Sequence, residues 1–156
     1  IIDKGIIYDN LDKILIIKLS PNVTSIEKIA LAAQDGGADA VSAVNTFVGM
    51  GINYRTGKMT LSTKFGGVSG PPIKPLALAK IHKIYNEVEI PIIGMGGISN
   101  FEDVVEFIRV GSTMVQVGTL NYRDPSLISK MNDKLKNFLT INKINNISEL
   151  IGNYSE

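Results

Sequence analysis

The chain has 156 residues, of which 44% are hydrophobic and 20% are charged, a balance typical of one globular domain. The net charge of +1 provides no strong field for a nucleic acid or a membrane surface, and no apolar run reaches the roughly 18 residues of a transmembrane helix. Because the sequence contains no cysteine, it excludes disulfides and thiolate metal sites and is compatible with a cytoplasmic protein, which we expect.

The first half of the chain predicts two βα units. The apolar run Lys13–Ser20 is typical of a strand that is buried on both faces of a parallel sheet. The helix that follows is expected to begin with a capping box formed by Thr24 and Glu27 and to end at Gly36. Residues 38–46 form the second buried strand. The connection that follows is long and rich in glycine and proline, with a hairpin signal at its centre (YRTGKM), and connections of this length are usually functional.

The second half of the chain continues the alternation. The predicted elements are a helix over 74–88, a strand over 90–95, a helix over 99–111, a buried strand over 112–119 and a helix over 124–142. Ser99 and Glu102 predict the capping box of the middle helix. Four βα units in sequence indicate either a doubly wound sheet or about half of a (β/α)₈ barrel, since a complete barrel needs about 250 residues.

Glycines follow two of the predicted strands, where parallel α/β proteins place their functional residues. Gly96 and Gly97 let an anion approach the backbone, and the next helix is expected to offer free N–H groups and a positive dipole end. Gly118 and Thr119 offer a similar backbone after the fourth strand, with a hydroxyl added. Either pair alone is explained equally well by a tight turn, but the two together favour a phosphate site.

Polar residues follow the other two strands. Lys18 either points into a site, where it stabilises negative charge, or lies at the rim in water. Asn45 and Thr46 offer an amide and a hydroxyl that suit a planar ligand, but the same residues are common where a turn begins. The sequence has no metal-ligand cluster, nucleophile–base pair or P-loop, and no residue at the strand ends is a convincing general base.

Five segments together resemble one enzyme family. They are IIKLSPNVTSIEKIA, GADAVSAVNTFVGM, GGVSGPPIKPLAL, IPIIGMGGISNFEDVVEFIRVGSTMVQVGT and ISELIG, in this order along nearly the whole chain. They resemble the C-terminal half of the catalytic subunit of class 1B dihydroorotate dehydrogenase. The resemblance implies that residues 1–156 are a partial TIM-barrel domain, with strands five to eight of an FMN-binding (β/α)₈ barrel. It also implies oxidation of dihydroorotate to orotate in pyrimidine (UMP) biosynthesis.

The resemblance also implies roles for individual residues. Those expected to contact FMN are Lys18, Val44, Gly70, Gly96, Gly97, Gly118 and Thr119. Lys18 is expected near the part of the flavin ring that becomes negative on reduction, and the last four are expected to hold the phosphate. Asn45 and Thr46 are expected to bind the orotate ring. The family's catalytic base is a cysteine on an earlier loop, so this chain is expected to contain no catalytic residue and to be inactive alone.

The resemblance further implies partners for the whole protein. A second subunit with FAD and an iron–sulfur cluster is expected to pass electrons to NAD, and a homo-oligomer is expected. Two enzyme alternatives remain, the FMN- and pyrimidine-binding domain of a dihydropyrimidine dehydrogenase and a phosphate-binding barrel isomerase or aldolase. The third alternative is a non-catalytic half-barrel that dimerises, because half a barrel has two unpaired strand edges and an exposed apolar interior.

Overall fold

Six short strands and four helices organise residues 13–155, which are the residues that the computed structural model describes. In chain order the elements are β1 (Ile16–Lys18), α1 (Ile26–Asp35), β2 (Ala40–Ala43), β3 (Phe47–Gly49), β4 (Gly66–Val68), α2 (Lys74–Tyr85), β5 (Ile92–Met95), α3 (Phe101–Arg109), β6 (Met114–Gln116) and α4 (Leu127–Ile141). Short 3₁₀ helices cover Pro71–Ile73, Thr119–Tyr122 and Ile147–Leu150. The predicted alternation of strands and helices is confirmed.

Four of the strands form a parallel sheet in the order β1-β2-β5-β6. Ile17 pairs with Val41, and Val41 pairs with Ile92, so the middle of the sheet is in continuous register. Each strand therefore lies beside the next parallel strand of the chain, as in a (β/α)₈ barrel. A doubly wound sheet reverses its strand order at a switch point, and the described strands contain no such reversal.

The helices cover one face of this sheet. Ile26 of α1, Ile81 of α2 and Phe107 of α3 have no exposed surface, and they pack in one cluster with Val41 and Ile92 of the sheet. These sheet residues alternate with those of the opposite face, because successive side chains of a strand point to opposite sides. The hydrophobic core therefore lies between the sheet and its layer of helices.

The opposite face of the sheet carries exposed apolar side chains. Ile16 and Met114 are 46% and 54% exposed, and Ile14, just before β1, is 77% exposed. The burial predicted for the first, second and fourth parallel strands is confirmed for β2 but wrong for β1 and β6, whose first and last residues are exposed. Each of these two strands pairs with only one described strand, so its side chains have fewer neighbours.

The helix starts differ from the predicted capping boxes by one residue. The N-cap of α1 is Ser25, whose side chain makes no capping bond, so the box predicted for Thr24 and Glu27 is wrong. In α3 the box is formed by Asn100 and Asp103. The sequence of α3 fits the capping pattern in two registers, which residue types alone do not distinguish, whereas at α1 the residue three positions after Ser25 is Lys28, which cannot complete a box.

The predicted hairpin is also confirmed. Strands β3 and β4 are antiparallel, with Phe47 opposite Val68, and an isolated bridge between Ile52 and Met59 extends the pairing toward the turn. The hairpin follows the carboxyl end of β2 directly. The long connection between β2 and α2 is therefore an ordered arm at the end of the sheet where functional residues are expected.

Replacing Gly111 by alanine is expected to lower the free energy of unfolding by about 2–4 kcal/mol. Gly111 has a φ of +118°, and a Cβ there would collide with the ring of Tyr85. Chemical denaturation of the two proteins measures the loss. Gly57→Ala is the control, because its φ is +66° but its Cβ meets nothing within 4 Å. The control is expected to cost only about 1–2 kcal/mol of backbone strain, and an equal loss in both variants would contradict the collision.

Candidate functional site

The carboxyl ends of the four parallel strands surround one cavity of about 270 Å³. Every residue predicted to contact cofactor or substrate lines it, namely Lys18, Val44, Asn45, Thr46, Gly70, Gly96, Gly97, Gly118 and Thr119. Residues to which the sequence assigned no role complete the wall: Ser69, Ile73, Met95, Ile98, Gln116, Val117 and Leu120. Residues far apart in the chain meet because parallel strands end at the same edge of the sheet.

Gly96 and Gly97 must be glycine for reasons of backbone conformation and packing. Their φ angles are +122° and +84°, a region that side chains rarely adopt. A Cβ on Gly97 would lie 2.6 Å from the backbone nitrogen of Lys74, and a Cβ on Gly96 would lie 3.0 Å from Cβ of Ala77. The tight turn therefore explains these two glycines without a ligand, although it also exposes their backbone to the cavity.

Gly118 has no such explanation. Its φ is −106°, outside the left-handed region, and a Cβ there would meet nothing within 4 Å. Because Gly118 lines the cavity, the space that this Cβ would fill is accessible to a ligand that approaches the backbone. Gly118 is therefore the glycine that indicates a ligand most directly.

Two backbone amides and one hydroxyl in the cavity wall are available to an anion. The N–H groups of Gly97 and Gly118 and the hydroxyl of Thr119 make no hydrogen bond with residues 13–155. Backbone amides that converge on a concave surface bind phosphate groups. The donor set therefore suits a phosphate.

Three N–H groups at the start of α3 are already bonded within the protein. The amides of Ser99 and Asn100 donate to Oδ2 of Asp103 at 2.7 and 3.2 Å, and the amide of Asp103 donates to Oδ1 of Asn100 at 2.8 Å. These three amides are therefore unavailable to an anion, whereas the amides of Phe101 and Glu102 in the first turn make no such bond with residues 13–155. The glycine amides before the helix remain as the donors on this side of the cavity.

Lys18 lies on the sheet face opposite the helices, next to Ser42 of β2. Its side chain lines the cavity and forms no ion pair with any residue of the described part of the chain. A positive charge without a protein counter-ion attracts an anionic ligand. Both interpretations of Lys18 therefore apply: the residue is exposed at the rim of the cavity, and it also lines the cavity.

Asn45 and Thr46 are held in place by a residue to which the sequence assigned no role. The side-chain amide of Asn22 donates to the carbonyl oxygen of Thr46 at 2.9 Å, and Oδ1 of Asn22 accepts from the amide of Val48 at 2.9 Å. Thr46 also donates its own amide to Oδ1 of Asn45 at 2.8 Å. Asn22 thus joins the end of β1 to the start of the hairpin and holds the backbone of Thr46, whose amide in turn holds the side chain of Asn45.

These three residues also border a smaller cleft of about 240 Å³, under the base of the hairpin. Gly67 of β4 closes this cleft against Thr46, and a Cβ on Gly67 would lie 2.7 Å from Cβ of Thr46. The hairpin therefore sets the position of the Thr46 side chain from the other side.

The cavity wall contains no carboxylate, imidazole or thiol. In the described part of the chain, no three His, Cys, Asp or Glu side chains are grouped as metal ligands. Among the same residues, no helix has the length and apolar character that a membrane crossing requires. The arrangement can bind and orient a ligand, but it offers no strong general base.

Comparisons with known proteins agree with the geometry. The family model described as Dihydroorotate dehydrogenase matches residues 5–139. Proteins named "Dihydroorotate dehydrogenase B (NAD(+)), catalytic subunit" are similar to the chain: that of Parabacteroides distasonis is 49% identical over 140 residues, and that of Porphyromonas gingivalis is 49% identical over 141 residues. The protein of the same name from Lachnoclostridium phytofermentans is 46% identical over 138 residues.

These matches cover 88–90% of the chain but only 46% of each relative. The chain therefore spans about half the length of the curated relatives that it matches. Because the family model matches most of the chain, the resemblance seen in the sequence is confirmed: the chain belongs to the dihydroorotate dehydrogenase family.

Proposed function

We propose that this chain is the C-terminal half of an FMN-binding (β/α)₈ barrel that oxidises dihydroorotate to orotate in pyrimidine biosynthesis. The observation that carries the proposal is the single cavity in which Gly118, Lys18 and the Asn45–Thr46 pair meet. The family match supports it. "The complete enzyme" below means this chain together with the N-terminal half of the barrel.

The cavity fits FMN in three respects. The amides of Gly97 and Gly118 and the hydroxyl of Thr119 are available for its phosphate, and no carboxylate lines the cavity to repel it. Gly96 and Gly70 bring further backbone to the same wall, and Val44 adds an apolar side chain for the ring. When bound, FMN supplies the acceptor for a hydride from the substrate.

The residues of this chain contribute charge and orientation. Lys18 would hold its ammonium group beside the flavin ring and stabilise negative charge there, in a site that substrate and cofactor shield from water. Asn45 and Thr46 would hydrogen-bond the pyrimidine ring of dihydroorotate, and Asn22 would keep them in position. Binding in this orientation lowers the activation free energy, because the entropy cost of aligning substrate and cofactor is already met when they bind.

The proton that leaves C5 of dihydroorotate needs an acceptor that this cavity does not contain. The wall offers amides, hydroxyls and an ammonium group, but no carboxylate, imidazole or thiol. We place the base on the N-terminal half of the barrel, where the resemblance implies a cysteine. The isolated chain is therefore proposed to bind ligands weakly and to have no turnover.

The open face of the sheet supports the proposed half-barrel. The exposed residues Ile14, Ile16 and Met114 lie where the four missing strands of a barrel would pack, and β1 and β6 each lack a second neighbour among the described strands. The same surface favours the second candidate, a half-barrel that dimerises, for the isolated polypeptide. In the complete enzyme we propose a homo-oligomer in the cytoplasm with a partner subunit that carries FAD and an iron–sulfur cluster and reduces NAD.

A visible spectrum of the complete enzyme, recorded without oxygen before and after dihydroorotate is added, tests the proposal. Bound oxidised flavin that bleaches on addition is the expected result. Protein without flavin would refute the cofactor site and leave the phosphate-binding isomerase or aldolase as the alternative. Flavin that bleaches only with NADPH, in a protein that reduces uracil, would instead assign a dihydropyrimidine dehydrogenase. The isolated chain is the control and should show no turnover.

A further inference from the structure

A buried carboxylate organises the loop beside the proposed phosphate site. Asp103, in the first turn of α3, is only 3% exposed. Its Oδ1 accepts from Nζ of Lys74 at 2.7 Å, and its Oδ2 accepts from the amide and hydroxyl of Ser99 at 2.7 and 2.6 Å and from the amide of Asn100. One side chain thus receives four hydrogen bonds, three of them from the β5–α3 loop (residues 96–100).

The Lys74 that pairs with Asp103 also packs against the other end of this loop. The Cα of Gly97 lies so close to the first residue of α2 that an added Cβ would be 2.6 Å from the nitrogen and 2.9 Å from Cα of Lys74. Ser99 follows two residues later and is held by Asp103. The β5–α3 loop is therefore enclosed by a ring of contacts through Gly97, Lys74, Asp103 and Ser99.

Asp103 and Lys74 form an ion pair close to the proposed phosphate. Burial raises the pKa of the Asp103 carboxyl, but hydrogen bonds from Lys74 and Ser99 outweigh burial and hold the pKa below its usual range. The hydrogen bond to Asp103, followed by that to Glu106, raises the pKa of Lys74. Both side chains are therefore charged at neutral pH. Nζ of Lys74 also lies 2.8 Å from Oε2 of Glu106, so Lys74 offsets part of the negative charge of the two carboxylates near the site.

Neither Asp103 nor Lys74 lines the cavity, so neither touches a ligand there. We infer that Asp103, with Lys74 as its counter-ion, is a positioning residue for the flavin phosphate. By binding the amides of Ser99 and Asn100, it fixes the β5–α3 loop in the one conformation that presents the Gly97 amide to the cavity. The inference rests on the proposed function and adds a specific route by which a residue outside the cavity controls cofactor affinity.

The test compares the affinities of the complete apoenzyme for FMN and for riboflavin, which has the same ring without the phosphate. Asp103→Asn removes the charge at nearly constant shape, and it is expected to weaken FMN binding about tenfold or more, since hydrogen bonds to charged groups are the stronger class. Riboflavin binding is expected to change much less. Quenching of flavin fluorescence gives both dissociation constants.

Asp124 provides the matched control. Its carboxylate accepts from the amide and hydroxyl of Ser126 and from Nζ of Lys130 at 2.9 Å, the same three kinds of donor as at Asp103, but neither partner belongs to the β5–α3 loop. Asp124→Asn is expected to leave the ratio of FMN to riboflavin affinity unchanged. If Asp103→Asn does not fold, the double variant Asp103→Asn with Lys74→Met removes both charges of the pair together and is measured in the same way.

The outcomes separate the inference from the function on which it rests. A wild-type preference for FMN that disappears in the Asp103 variant supports the inference. A wild-type preference that the variant retains, or an equal loss for FMN and riboflavin, overturns the inference alone, because Asp103 would then serve only general stability. A wild-type enzyme with no preference for FMN overturns the inference together with the proposed phosphate site.

Discussion

Replacing Lys18 by methionine in the complete enzyme is expected to lower kcat for dihydroorotate oxidation by about a hundredfold or more. Lys18 lines the cavity and has no ion-pair partner among the described residues, so its charge is available to the flavin. Methionine keeps an unbranched side chain of similar length but removes that charge. Because the exposed ammonium group makes no contact in the core, the thermal midpoint should be unchanged. Rapid mixing with dihydroorotate measures flavin reduction directly.

Lys13→Met is the control for this prediction. Lys13 is exposed and lies five positions earlier, before β1 begins, so its substitution makes the same change in net charge away from the cavity. It is expected to leave flavin reduction unchanged. Lys18→Arg keeps the charge but not its compact shape, and an intermediate rate is expected. A Lys18→Met enzyme with a rate within about twofold of wild type would show that Lys18 is a solvated rim residue, since an electrostatic contribution would be far larger.

The sequence predicts the order of elements well because apolar periodicity is a local property. Val41 and Ile92 lie in apolar runs that predicted strands, and both side chains are fully or almost fully buried. Ile16 and Met114 occupy equally apolar runs but are half exposed, because burial depends on what packs against a strand. A sequence pattern records which residues are apolar, whereas the neighbours that cover them are a property of the assembled sheet.

The sequence also does not predict which contacts hold the individual residues of the site. Gly97 and Gly118 look alike in the sequence, but in the structure a positive φ and the closeness of Lys74 require glycine at the first, whereas the space beside the second opens into the cavity. Asn22 follows a proline and fits an ordinary turn, so its hydrogen bonds to Thr46 and Val48, across 24 and 26 positions, could not be predicted. Local residue types indicated where the site lies, and long-range contacts determine how it is held.

Replacing Gly118 by alanine is expected to weaken FMN binding by the complete enzyme about tenfold or more, because inserting a methyl group into a filled site costs about 1–3 kcal/mol. The fold should be unaffected, since the φ of Gly118 lies outside the left-handed region and the added Cβ meets no protein atom within 4 Å. Fluorescence titration gives the affinity, and a thermal melt of the apoenzyme checks the fold. Gly118→Val is expected to have a larger effect.

Riboflavin separates a blocked phosphate site from a distorted ring site. If the Gly118 backbone contacts the phosphate, alanine should weaken FMN binding while riboflavin binding stays nearly constant. Equal weakening of both ligands would place Gly118 beside the ring, and unchanged binding of both would leave this glycine without a role in the cofactor site. Gly118 is the decisive position because it lines the cavity and no contact of the protein requires glycine there. Its substitution therefore reports on the ligand and not on the fold.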